Sequence, residues 1–152
     1  MFRGRKKLGK DSTNRQRGAA AVEFALILPL LLFMVLGVID YGVFFSQNIS
    51  LQNAAREGAR QGVTQGDVLK YTNQSRGLLD DKKLQIKFAV DTTAGAPGTM
   101  VVCVRYPQSS LTGFFSFALK GTSEAKSVMR MEGTAPVATG SKNWIGTTPC
   151  TA

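Results

Sequence analysis

The sequence predicts an α+β architecture: a long N-terminal membrane-spanning helix that continues into a small antiparallel-sheet extracytoplasmic domain. Three observations carry this. Residues 24–39 form a run of 16 without a charge, extended by apolar residues on both sides to 19–45. The polar stretch after it, residues 47–63, has no proline or turn cluster to end a helix. Further on, Leu84, Ile86, Phe88 and Val90 alternate with Gln85, Lys87 and Ala89, the period of a half-buried strand. The boundaries expected are a basic leader over 1–18, a transmembrane and stalk helix over 19–63, and an α+β domain with a loop-rich tail over 64–152.

The leader comes first. The chain carries 19 Lys+Arg against 10 Asp+Glu in 152 residues. Seven of those basic side chains, with one acid, fall within residues 1–18. A basic block of this kind binds nucleic acid, addresses an organelle or flanks a membrane span. The apolar run behind it favours the third, and no interleaved aromatics accompany it as a nucleic-acid arm would require. The leader is therefore cytoplasmic, the span is single-pass with its N-terminus inside, and no nucleic-acid partner is expected.

The span follows. The 27 residues of 19–45 reach about 40 Å as a helix at ~1.5 Å per residue, enough for a hydrocarbon core of ~30 Å. Pro29 is compatible, because neighbouring groups in a membrane helix re-satisfy the freed backbone. A removable secretory signal would have a shorter apolar region and a small-residue cleavage site after it; the exit, Gly37-Val38-Ile39-Asp40-Tyr41, has none. Glu23 is the anomaly. A carboxylate in a span costs several kcal/mol at the centre and less near an edge. It either reaches the headgroups or has a partner.

In the stalk, Ala54, Gly58 and Gly62 recur every fourth residue, with Ala55 and Ala59 beside them. Small residues in a row let another backbone approach closely, and two glycines at ~1 kcal/mol each in a helix interior call for a packing reason. The row packs on this chain's own sheet or on another subunit; the pattern leaves both open. Arg56, Glu57 and Arg60 form a solvated face, with Glu57 and Arg60 spaced for an ion pair.

Beyond the stalk, a short helix is expected around residues 67–75. Strands are expected at 84–90, 100–106 and 125–132, the first two joined as a hairpin through a loop containing Gly95, Pro97 and Gly98. Phe114, Phe115 and Phe117 are expected to plug the core against one sheet face. After Gly133 the Gly/Thr/Pro-rich chain, which carries Trp144, reads as a loop or tail held to the body at its end. Cys103 and Cys150 would lie in an oxidising compartment, where one bridge or two free thiols are the alternatives. A bridge would close a loop of about 48 residues and stabilise by ~4 kcal/mol on the chain-entropy argument.

Catalysis finds little support. There is no histidine, which removes Ser-His-Asp and Cys-His chemistry and most general-base work near neutral pH. Two cysteines cannot make a four-thiolate metal site, and Asp80-Asp81 is too few ligands for a cation. Ser123-Glu124-Ala125-Lys126 matches S-x-x-K, without the companion elements and on a predicted strand. The expectation is no enzyme, no cofactor and no metal.

The run Arg15-Gln16-Arg17-Gly18-Ala19-Ala20-Ala21-Val22-Glu23-Phe24 resembles a type IV prepilin cleavage site. The resemblance implies that a prepilin peptidase cuts between Gly18 and Ala19, and that Glu23, fifth in the mature chain, pairs with the Ala19 amine of a neighbouring subunit. Leu51-Gln52-Asn53-Ala54-Ala55-Arg56-Glu57-Gly58-Ala59-Arg60-Gln61-Gly62, with Asp40-Tyr41-Gly42, is similar to the TadE-like family, pseudopilins or minor pilins of tight-adherence pili. That likeness covers roughly Arg17 to Val63; Phe24 stands where the family often has tyrosine. It implies a bacterial inner-membrane subunit whose partners are the peptidase, other pilins or pseudopilins, the assembly platform and the lipid bilayer. An uncleaved single-span anchor whose outer domain binds a partner or surface is the alternative.

Overall fold

The computed structural model describes residues 11–92, 98–131, 139–147 and 149–150, with side chains from Gly18 onward. The leader through Lys10, the turn at Gly95 and Pro97, Glu132 and the tail over 133–138 lie outside the described residues. The elements run α1 (Asp11–Val63), α2 (Val68–Gln74), β1 (Gln85–Asp91), β2 (Thr99–Gln108), β3 (Gly121–Arg130) and β4 (Gly140–Lys142). The chain divides into two compact units, Met1–Ile39 and Asp40–Ala152. α1 passes from one to the other without a helical break and contains Pro29.

In the first unit, α1 is long and apolar enough to cross a membrane, and the described residues bury none of its apolar window. Val22, Phe24, Leu26 and Met34 are each more than half exposed. Side chains of this kind around a whole helix need an apolar solvent or a neighbour.

In the second unit the four strands order as β3-β2-β1-β4, every pairing antiparallel. β1 and β2 form the expected hairpin, with Ile86 opposite Val104 and Phe88 opposite Val102. β2 is central and is buried on both faces. Its even residues, Met100, Val102, Val104 and Tyr106, join Leu84, Ile86 and Ala125 in a core with Leu51, Ala55 and Ala59 of α1 and Val68 of α2. Its odd residues, Val101 and Cys103, meet Cys150 and Trp144 on the opposite face. The period of two thus sends one set of side chains to the helices and the other to the C-terminal segment.

Several contacts among the described residues hold the C-terminal segment. Cys103 and Cys150 are bonded. The Arg105 guanidinium lies 4.3 Å from the Trp144 ring centroid while bonding Glu124 at 2.7 Å. Three residues of the segment, β4, add to the free edge of β1. That short strand departs from the tail expected there. Asp67 caps α2 by accepting from the Lys70 N–H at 3.0 Å.

One expectation is corrected. Phe114, Phe115 and Phe117 do not plug the core. They lie in the β2–β3 connection, with Phe114 51 % and Phe117 83 % exposed. The reason is that the helices already pack on one face of central β2, and Trp144 and Cys150 on the other.

Candidate functional site

α1 positions every residue singled out near the N-terminus. Gly18 and Ala19 lie inside the helix, and a Cβ at Gly18 would meet nothing within 4 Å. Glu23 follows Ala19 by one helical turn and is exposed, as is Phe24. This end of the helix therefore offers a peptide bond, a carboxylate and an aromatic ring, none of them covered by the described residues.

The small-residue row lies in the other unit and is spent on the chain's own domain. Ala54, Ala55 and Ala59 are buried. A Cβ at Gly58 would stand 2.1 Å from Thr72 Oγ1 and 3.2 Å from Val102 Cγ1; one at Gly62 would stand 2.7 Å from Met100 Cε. Thr72 is fully buried and β-branched, so it has few rotamers in which to give way. Of the two packings open at the sequence level, the structure contains the one on α2 and β2.

The opposite face of the stalk is solvated. Arg60 grips Glu57 with two hydrogen bonds, 2.9 Å and 2.6 Å, and Gln61 donates a third at 2.8 Å. The Arg60 and Gln61 bonds together hold the Glu57 carboxyl at about 2, well below the usual carboxylate range. At the far side of the domain, Asp81 pairs with Arg76 at 3.1 Å and with Lys142 of β4. The Lys142 ammonium bonded to it holds the Asp81 carboxyl below the usual carboxylate range. Ser123 and Lys126 both lie on β3; their odd spacing sends them to opposite faces of the strand, so the S-x-x-K pair does not converge.

Asp40 is the residue whose role sequence reasoning missed. It is only 2 % exposed. Ser110 Oγ donates to its Oδ2 at 2.6 Å, Thr112 Oγ1 to Oδ2 at 2.7 Å, and the Thr112 N–H to Oδ1 at 2.9 Å. A buried carboxylate without such donors would be strongly disfavoured. The hydroxyls pass the order on, since Ser110 Oγ accepts from the Gly113 N–H at 2.9 Å and Thr112 Oγ1 from the Phe114 N–H at 3.3 Å. The signal in the sequence was a lone acid after an apolar run and a Ser-Ser-Leu-Thr stretch seventy residues on, with no local pattern to join them.

The sequence model of the family described as TadE-like protein matches residues 18–60. No curated protein and no solved structure matches the chain. The match opens at Gly18, contains Glu23, Asp40 and most of the small-residue row, and associates the chain with Tad pili. Residues 18–60, the apolar helix and its stalk, are thus similar to the TadE-like family.

Proposed function

We propose that this chain is a pseudopilin, or minor pilin, that a prepilin peptidase cuts after Gly18 and that then takes part in assembling a tight-adherence pilus for surface attachment. The observation that carries the reading is the family match opening at Gly18 on a helix whose single carboxylate between Ala19 and Ile39 is Glu23. The chain sits in a bacterial inner membrane, with the leader on the cytoplasmic side and the sheet domain outside. Glycine suits the cut, because it is about 1 kcal/mol worse than alanine in a helix interior and so eases local unwinding before cleavage. Cutting removes the basic leader and leaves a free amine at Ala19. An amine and a carboxylate near the apolar phase attract strongly, so Glu23 of one subunit takes the Ala19 amine of its neighbour and sets the axial register. Its partners are the peptidase, other pilins or pseudopilins, and the assembly platform.

The test is the N-terminal residue of the full-length product recovered from membranes and from sheared filaments, with the peptidase present and absent. Ala19 is expected only where the peptidase is present; a chain that keeps its leader in both sinks the reading. Glu23→Ala is expected to leave cleavage intact and to lower filament yield. The second reading, an uncleaved single-span anchor, draws on the helix running unbroken from Asp11 through Gly18. The same N-terminal determination separates the two.

A further inference from the structure

The connection between β2 and β3 is an ordered apolar projection. Residues 109–119 carry no charge. Leu111 is 68 % exposed, Phe114 51 % and Phe117 83 %. Exposure here accompanies a defined backbone: the Ala118 and Leu119 N–H groups donate to the Phe115 carbonyl at 3.0 and 2.9 Å, and the Phe115 ring lies 6.3 Å from those of Phe114 and Phe117. Lys120 is exposed at its edge.

The position of this projection along α1 is set by the domain itself. Gly62 faces Met100, Gly58 faces Val102, and Asp40 holds Ser110 and Thr112. The helix and β2 therefore run antiparallel. From Gly62 back to Asp40 the helix covers about 33 Å at ~1.5 Å per residue, and from Met100 to Ser110 the strand and its extension cover about 33 Å at ~3.3 Å per residue. The two rises agree, so the connection meets the helix at Asp40 without slack.

Asp40 directly follows the charge-free run. About twenty residues cross a hydrocarbon core of ~30 Å, and twenty counted from Ala19 end at Val38. The residues just after that belong to the headgroup zone, where aromatic rings concentrate. Tyr41 and Phe45 are both more than half exposed there.

We propose that the 111–119 connection is a second membrane contact. Leu111, Phe114 and Phe117 insert into the headgroup and upper acyl region of the bilayer that receives α1, with Asp40 as the clasp that fixes their depth. This rests on reading residues 19–45 as a membrane span. The occupant is lipid because the projection is tied to the point where the apolar run ends. It carries no charge that would have to leave water, and its one flanking lysine suits anionic headgroups.

The test uses the full chain in lipid vesicles, in a Trp144→Phe background so that one introduced tryptophan reports. Phe114→Trp and Phe117→Trp are placed in the projection, Leu31→Trp in the span, and Val128→Trp on β3 opposite Val101, far from Asp40 along the sheet. Lipids brominated high or deep in their chains quench nearby indoles. The expected result is quenching of Phe114→Trp and Phe117→Trp chiefly by shallow bromines, of Leu31→Trp by deep ones, and little quenching of Val128→Trp. Asp40→Ala combined with Phe117→Trp is expected to lose the shallow quenching. If Leu31→Trp is quenched while the projection behaves like Val128→Trp, the second contact is refuted and the span stands. If the projection is shielded only at high protein density and not by bromines, its occupant is a neighbouring protein and the proposal fails. If Leu31→Trp is not quenched either, the span reading fails and the proposal with it.

Discussion

Residues 18–39 and residues 40–63 belong to the same helix and solve opposite problems. The first stretch presents large apolar side chains outward on nearly every face. The second hides Ala54, Ala55, Gly58, Ala59 and Gly62 and shows water Arg56, Glu57 and Arg60. Both are α-helical throughout, so helix formation itself does not distinguish them. What differs is the solvent each is written for. A segment whose large apolar side chains stand exposed needs lipid or another subunit. A segment pressed against a sheet takes small ones, because the distance of closest approach limits what fits.

The sharpest way to separate the two is to loosen one alone. Cys150→Ser removes the bond to Cys103 and is expected to cost the domain about 4 kcal/mol for a loop of this length. Denaturant unfolding followed by a domain probe such as Trp144 should show it, while helicity of residues 18–39 in lipid stays unchanged. If both respond together, the two stretches are not independent.

Next in size is the solvent assignment. Leu31→Arg puts a charge at the middle of the first stretch, where insertion costs about 2.5–3.5 kcal/mol; the same charge at exposed Gln52 of the second should stay within about 0.5 kcal/mol. Membrane fractionation reads the first and thermal unfolding the second. Equal effects at both sites would erase the distinction.

Close packing is tested by Gly58→Ala. Helix propensity alone would gain about 1 kcal/mol, but a Cβ only 2.1 Å from Thr72 Oγ1 forces overpacking, which typically costs about 1–3 kcal/mol. Net destabilisation is expected. Gly42→Ala, where a Cβ meets nothing within 4 Å, should show the propensity gain. The contrast between two glycines of one helix isolates packing from backbone preference.

The smallest effect is on the solvated face. Arg60 and Gln61 lower the Glu57 carboxyl from its ordinary 4.5 to about 2. A depressed folded-state value means stability is fully present above 4.5 and is lost as pH falls from there towards about 2. Glu57→Gln should flatten that part of the domain's stability–pH curve, with a modest amplitude because water screens the pair.

Much of this architecture was legible in the residues. The apolar run, the missing breaker after it and the change of period at Leu84 are local signals, and α1, β1, β2 and β3 follow them. The bonding of Cys103 to Cys150 was one of two alternatives, since two cysteines and a compartment do not fix a distance. The Phe114–Phe117 rings were misplaced because hydrophobicity says that a group avoids water, not which surface is left to receive it. β4 has three residues, too few for a period to show. Asp40 read as an interruption because its partners lie seventy residues away.

From composition and periodicity came the helix, its membrane-competent half and strands β1, β2 and β3, and from its motifs the family likeness, all consequences of short-range order along the chain. Whether the small residues face a sheet or a neighbour, which face the C-terminal segment covers, and where the aromatic connection points depended on the antiparallel match of α1 with β2. That match closes contacts between residues far apart in sequence, and no window along the chain contains both members of such a pair.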